Sequence, residues 1–327
     1  MKSIDSRLKR SVANSQGGHD REKIYYGFLA NYRSVHTRSA YQRDLKEFLA
    51  FLRDNFSAQN EFTCSHSHVV AFKEYLCQKG QGSVSGFSQS TINRKLSCLG
   101  AFYSYLFEHG YVEDIPTKRI RRFKIKKEVK TSDLSNDQVT SLFDCIDISH
   151  GPGLMHRAVL RVLFSTGMRH SEVVSLKFKN FCYENKFSVI KYIAKGGVSI
   201  VTPLSSNVLS ELGEYFDWCQ KNGYSMALSD YIFRPTKNPK NGNLNKKLKP
   251  SSLNYIIKKY AKLSGVKGSI SVHSARATVI GNLLESGVSI DKVADFVGHK
   301  DISMTRSYNK RVTKLAESAA FLVNYSE

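Results

Sequence analysis

The sequence predicts a mainly α protein with one small β-sheet or hairpin, built as an all-helical first unit followed by an α+β second unit. Three observations lead there. Apolar residues recur at three- and four-residue spacing through most of the chain, the period of an amphipathic helix. Only 187–194 and 198–204 are β-rich, and they flank Lys195-Gly196-Gly197, a suitable hairpin tip. A chain of 327 residues with 41% hydrophobic content exceeds one small core and suits two domains of ordinary size.

Residues 1–20 are polar, with little apolar periodicity, and are expected to form a mobile tail. The helical unit then covers 21–117. Its first helix starts near Thr37 and carries Tyr41, Leu45, Phe48, Leu49 and Leu52; the next carries Val69, Val70, Phe72, Tyr75 and Leu76. After a Gly/Ser-rich break at 80–90, a third helix turns Ile92, Leu96, Leu99, Phe102, Tyr103 and Leu106 inward and stops at Gly110. Arg94 and Lys95 fall off that stripe, where they would serve either as phosphate contacts or as solvated surface charges. Residues 118–131 form a basic linker whose Arg121, Arg122 and Lys124 are further candidates for phosphate.

The second unit, 132–327, opens with Ser135 and Gln138 in capping-box spacing before Val139, Leu142 and Phe143. A helix through Val159, Leu160, Leu163 and Phe164 runs to Gly167, and a short one follows over 171–176. Beyond the hairpin, helices are expected over 208–219, 253–263 and 277–284, with a basic, Asn/Gly-rich mobile loop at 236–250. Val312, Leu315, Ala316, Ala319, Ala320, Phe321 and Leu322 make the C-terminal tail an amphipathic helix.

Lys and Arg number 49 against 28 Asp and Glu, a net charge of +21 that favours a polyanionic partner. Residues 1–131 hold 23 basic and 12 acidic side chains, net +11, so both units are basic. The six cysteines (Cys64, Cys77, Cys98, Cys145, Cys182, Cys219) show no Cys-x-x-Cys pair and no metal-ligand spacing with histidine, as expected of reduced, packed thiols inside a cell. No apolar run is long enough to cross a bilayer, and the N-terminus lacks a signal-peptide core. A soluble cytoplasmic or nucleoid-associated protein is expected, with no membrane partner.

The last third of the chain concentrates chemistry: His273-Ser274-Ala275-Arg276, then Gly298-His299, then Tyr308. A tyrosine has an ordinary pKa near 10 and needs a base or a positive field to act as a nucleophile. His273 and Arg276, three apart at a helix start, would share one face and one phosphate. Arg169 follows Gly167, with Glu172 spaced to orient its guanidinium. Paired arginines suit a phosphate's non-bridging oxygens, and phosphoryl transfer is mainly positioning and charge stabilisation, so no metal or other cofactor is called for. Taken singly, each residue also has an ordinary reading. Arg169 is a cap or surface residue, His273 a cap, His299 a carbonyl partner, Lys195 a solvated turn residue and Tyr308 core packing.

As an ordered set, these residues resemble the tyrosine recombinase (phage integrase) family, especially its compact two-domain Xer-type members. Thr166-Gly167-Met168-Arg169-His170-Ser171-Glu172 matches the family's Thr-Gly-x-Arg-x-x-Glu segment, and Lys195 its hairpin lysine. His273 and Arg276 match His-x-x-Arg, Val297-Gly298-His299 matches Leu-Gly-His, and Tyr308 matches the nucleophile nine residues on. Tyr41-Gln42-Arg43-Asp44-Leu45 and Asn93-Arg94-Lys95-Leu96-Ser97 are similar to the family's helical core-binding domain.

The resemblance implies a site-specific recombinase that cuts and rejoins double-stranded DNA through a 3′-phosphotyrosyl link. It also implies a tetramer, homomeric or shared with a related recombinase, on two DNA sites, serving integration, excision or resolution. Arg169 and Arg276 would hold the phosphate, Lys195 protonate the leaving oxygen, His273 exchange a proton with Tyr308, and His299 bond the phosphate, with Glu172 in support. Ala275 and Ala277 depart from the usual Leu and His, and the neutral Gly196-Gly197-Val198-Ser199 leaves the hairpin register open. A type IB topoisomerase and a catalytically inactive DNA-binding regulator remain rival readings of the same fold.

Overall fold

A computed structural model describes residues 18–56, 60–79, 87–125, 133–194, 197–236 and 246–308. The chain divides into two compact units, Met1–Lys127 and Glu128–Glu327.

Among the described residues, the first unit has four helices: α1 (Gly18–Ala30), α2 (Val35–Asn55), α3 (His66–Gln78) and α4 (Gln89–Glu108). Serine hydroxyls cap two of them, Ser34 accepting from the Thr37 N–H and Ser88 from the Thr91 N–H. Most of the expected stripes form the core: Leu45, Phe48, Leu52, Val69, Phe72, Leu76, Ile92, Leu96, Leu99, Phe102, Tyr103 and Leu106 are buried, while Tyr41, Leu49, Val70 and Tyr75 are only partly so. Phe48 and Phe72 meet edge to face at 5.0 Å. Ile24 and Phe28 of α1 complete this core, and the helix itself starts at Gly18, three residues inside the stretch 1–20 expected to be a tail. Residues 1–17 lie outside those described.

Lys95 corrects the sequence reading. It sits on the buried side of α4 at 6% exposed, and its ammonium bonds Asp44 (3.1 Å) and Glu47. A buried cation already neutralised by two carboxylates has no free face for a phosphate. Arg94 forms a two-pronged pair with the same Asp44, Nη2 to Oδ1 being 2.9 Å, and stays partly exposed. The basic segment is not a bare linker at its start. Asn93 bonds the Phe123 carbonyl (2.9 Å) and N–H (3.0 Å), and Ile120 and Phe123 pack on the first core. Arg121, Arg122 and Lys124 are left exposed, with Arg122 bonding the Ser97 hydroxyl at 2.6 Å.

In the second unit α5 (Asn136–Asp144) carries the expected capping box between Ser135 and Gln138. α6 (Gly151–Thr166) is buried along most of its length and ends at Gly167; α7 (His170–Val173) follows at once. The sheet has three antiparallel strands in order, β1 (Phe181–Glu184), β2 (Phe187–Ile193) and β3 (Ser199–Pro203). The hairpin is as expected from sequence, with Ile193 opposite Ser199 and the turn closed by Ala194 N–H to Val198 O (2.7 Å); β1 is additional.

Helices α8 (Ser206–Lys221), α9 (Pro250–Leu263) and α10 (Val272–Glu285) extend the expected ones, and two short helices not read from sequence follow, α11 (Ile290–Val297) and α12 (Ile302–Arg306). Val293 and Val297 of α11 pack with Ile280 of α10 as a small separate cluster. The tail at 309–327 and the loop tip at 237–245 lie outside the described residues. No helix among the described residues is long and apolar enough to cross a membrane.

Candidate active site

Arg276 is the centre of the site, and its position follows from how two helices end. α6 and α11 both stop in left-handed glycines, Gly167 (φ 62°) and Gly298 (φ 66°), the backbone state that glycine adopts without steric penalty. The last carbonyls of a helix have no intrahelical partner and carry its partial negative charge. Arg276, 2% exposed, donates Nη1 to the Gly167 carbonyl and Nη2 to the Val297 carbonyl, both at 2.6 Å. A buried guanidinium is thus held by two helix C-termini. Burial, then the neighbouring Arg169 charge, pushes its pKa down to about 10, which still leaves it cationic at neutral pH.

Arg169 lies two residues past Gly167 and caps α7. Glu172 accepts from its backbone N–H (2.8 Å) and from its Nη1 (3.0 Å), the orienting role expected of that carboxylate. Nη2 reaches the Gly298 carbonyl at 3.4 Å. The two arginines therefore rest on consecutive carbonyls, Val297 and Gly298, which fixes their spacing.

His299 is 9% exposed, and its Nδ1 pairs with the hydroxyl of fully buried Thr305 at 2.8 Å. That leaves Nε2 for another partner. Burial, then Arg276 and Arg169, pushes its pKa down to about 4, so the ring is neutral at physiological pH. It stacks on Tyr308, centroids 6.2 Å apart at 17°. Tyr308 follows α12, its N–H bonded to Thr305 O (2.9 Å), and its half-buried ring rests on the Ile280–Val293–Val297 cluster.

His273 stands exposed in the first turn of α10, one turn before Arg276. Its ring is not the helix cap, since Ser271 holds that position. Protein packed around the imidazole, then His170, Arg276 and Arg169, lowers its pKa.

Lys195 lies outside the described residues. Its neighbours fix where the hairpin sits: a Cβ on Gly298 would fall 2.4 Å from Ile200 Cδ1 and 3.5 Å from Ala194 Cβ. The base of the hairpin therefore abuts the Gly298-His299 turn, and Gly298 is required both for its φ and for this close approach.

Arg169, Glu172, Arg276, His299 and Tyr308 are brought together, with His273 at the rim. Sequence reasoning missed Thr305 and the carbonyls of Gly167 and Val297. Backbone groups carry no letter, and a threonine six residues past a histidine gives no signal. Among the described residues, no group of three or more His, Cys, Asp or Glu side chains is placed to hold a metal ion.

The fold is that of the tyrosine recombinases. The phage integrase family model matches residues 132–314, and that of the phage integrase N-terminal SAM-like domain matches 25–110. The chain belongs to the phage integrase family. A tyrosine recombinase XerD from Listeria monocytogenes serotype 4b is 28% identical over 283 residues, covering 86% of this chain and 90% of the relative. A XerC from Rickettsia bellii is 27% identical over 298 residues, covering 90% and 92%. Among solved structures, a XerH recombinase in a post-cleavage complex with palindromic difH superposes with a TM-score of 0.68 at 19% identity, covering 88% of this chain and 80% of that one. A lambda integrase tetramer on a Holliday junction gives 0.67 at 16% identity, covering 96% and 82%. These likenesses bear on the fold.

Proposed function

We propose that the chain recombines double-stranded DNA at specific sites, with Tyr308 as nucleophile and Arg169, Lys195, His273, Arg276 and His299 as the groups that act on the phosphate. The Tyr308 hydroxyl attacks the scissile phosphorus and gives its proton to His273. The phosphorus–5′-oxygen bond breaks, leaving a 3′-phosphotyrosyl link and a 5′-hydroxyl protonated by Lys195. A 5′-hydroxyl from the partner strand then attacks that link, restores the diester and releases Tyr308. Bond energy is kept in the adduct, so the exchange needs no ATP and no metal.

The observation that carries this reading is the buried Arg276 guanidinium, anchored at 2.6 Å on two helix ends beside Arg169, His299 and Tyr308. A cation preorganised in this way stabilises charge as it develops on the phosphoryl oxygens without reorganising at the moment of reaction. His299, neutral, offers Nε2 to one non-bridging oxygen, and Glu172 holds Arg169 without touching the substrate.

The working assembly in this reading is a tetramer on two DNA sites, homomeric or shared with a related recombinase, located with the nucleoid in the cytoplasm. The solved relatives bound to DNA support it. A DNA duplex carrying a nick near the scissile phosphate traps the adduct, because the short 5′ fragment diffuses away. Unmodified protein is expected to form a denaturation-resistant protein–DNA species in EDTA, and Tyr308→Phe none. An adduct formed equally by Tyr308→Phe would overturn the assignment.

A further inference from the structure

Thr305 lies between the group that would bond the phosphate and the group that would attack it. Its side chain is buried in α12 at 0% exposed. The hydroxyl meets His299 Nδ1 at 2.8 Å, and the carbonyl accepts the Tyr308 N–H at 2.9 Å. Stacking of the His299 ring on Tyr308, centroids 6.2 Å apart, closes the triangle. One residue therefore holds the imidazole by its side chain and the tyrosine by its backbone.

The direction of the hydroxyl bond decides what His299 can do. A neutral imidazole carries one proton, and the group bonded at Nδ1 selects which nitrogen holds it. With Nδ1 as donor, Nε2 would be a bare acceptor facing phosphate oxygens that only accept. With the threonine hydroxyl as donor, Nε2 keeps the proton and can bond the phosphate. The surroundings of Thr305 select the second arrangement. Among the described residues its hydroxyl meets no acceptor except Nδ1, and a buried hydroxyl proton left without an acceptor costs stability. The ring is also anchored where it is needed. Arg276 rests on the Val297 carbonyl at 2.6 Å and Arg169 on the Gly298 carbonyl at 3.4 Å, the two residues before His299. The His299 N–H itself bonds the Ala294 carbonyl of α11 at 2.9 Å.

We propose that Thr305 is a positioning residue for strand cleavage: its hydroxyl donates to His299 Nδ1 and so keeps a proton on Nε2 for the phosphate, while its carbonyl holds Tyr308 in register with that donor. The inference rests on the roles given to His299 and Tyr308 above. Thr305 acts through these neighbours and does not touch substrate.

Thr305→Val keeps the shape and the carbonyl and removes the donor, whereas Thr305→Ser keeps both. In single-turnover adduct formation by the full chain at saturating nicked DNA, Thr305→Val is expected to be about tenfold slower, the scale of a small misplacement, with DNA affinity within about twofold. Thr305→Ser should stay within about threefold of unmodified protein on the same scale. Because the hydroxyl acts through the imidazole, Thr305→Val added to His299→Ala should slow that variant by less than about twofold. NMR of protein labelled at its histidine ring nitrogens, with His299→Ala assigning the signal, should show the His299 proton on Nε2. A proton on Nδ1 in unmodified protein, a Thr305→Val rate within about twofold, an equal loss in Thr305→Ser, or the full tenfold loss in the His299→Ala background would each overturn the inference. If Thr305→Val does not fold, the position of the proton in the unmodified protein still decides. Failure of the underlying mechanism looks different: unmodified protein would form no adduct, Tyr308→Phe would form as much, or His299→Ala would cleave at the unmodified rate.

Discussion

Arg276 illustrates how much of the site depends on a single side chain's shape. Its planar fork reaches two carbonyls on different helices, and the single ammonium of lysine cannot satisfy both in that geometry. Arg276→Lys is therefore expected to lower the single-turnover cleavage rate by about a hundredfold or more, the usual cost of losing a preorganised donor. A rate within a few-fold of unmodified protein would place the phosphate elsewhere. His299 makes a second prediction at this scale. Its pKa falls from 6.5 to about 4 on folding, so between those values the unfolded chain binds the extra proton. The stability contribution is complete above pH 6.5 and is lost as pH falls towards 4. His156, also pushed to about 4 by burial, acts in the same direction. Urea midpoints at pH 7 and pH 5 should diverge less in His299→Gln than in the unmodified protein; an unchanged difference would contradict the burial argument. The side chains of this site were legible because their order and spacing form a recognisable set. Thr305 was not, because only the fold brings it to His299, and Lys95 misled because its position on the helix does not reveal the carboxylates of α2.

Among the elements, the contact between the hairpin and the end of α11 is the most exacting. An alanine at Gly298 would have to adopt φ near +66° and push its Cβ into Ile200 Cδ1. Gly298→Ala should cost about 1–2 kcal/mol from the backbone alone. It should also slow adduct formation by moving the hairpin relative to Arg169, a result read by a chemical melt alongside the cleavage assay. Unchanged stability and rate would mean that the hairpin does not rest on this turn. The long amphipathic helices were legible from their period. Helices α11 and α12 were not, since eight and five residues are too few to establish one. α10 begins at Val272, so His273 and Arg276 do stand at a helix start, while the apolar period marked only 277–284 because polar Ser274 and Arg276 interrupt it although both are buried in the fold.

For the molecule as a whole, the charge is the dominant physical fact, +21 in total and shared almost evenly between the two halves of the sequence. If both units grip the DNA backbone, log Kd should vary steeply with log salt, and six to ten phosphate contacts would weaken binding by about 10³–10⁵ between 50 and 200 mM. A shallow dependence measured by fluorescence anisotropy would count against binding by both units. Composition and periodicity carried the two-unit, mainly helical organisation. The exact division did not show in the sequence, because the basic segment looks uniform while Ile120 and Phe123 pack on the first core.

The central claim is that one tyrosine, Tyr308, carries the DNA between cutting and rejoining. The most direct measurement is to digest the adduct trapped on nicked DNA in EDTA and locate the modified peptide by mass spectrometry. The nucleotide should be found on Tyr308, on the peptide following Arg306. A nucleotide on any other residue, or no covalent species from the unmodified chain, would contradict the claim.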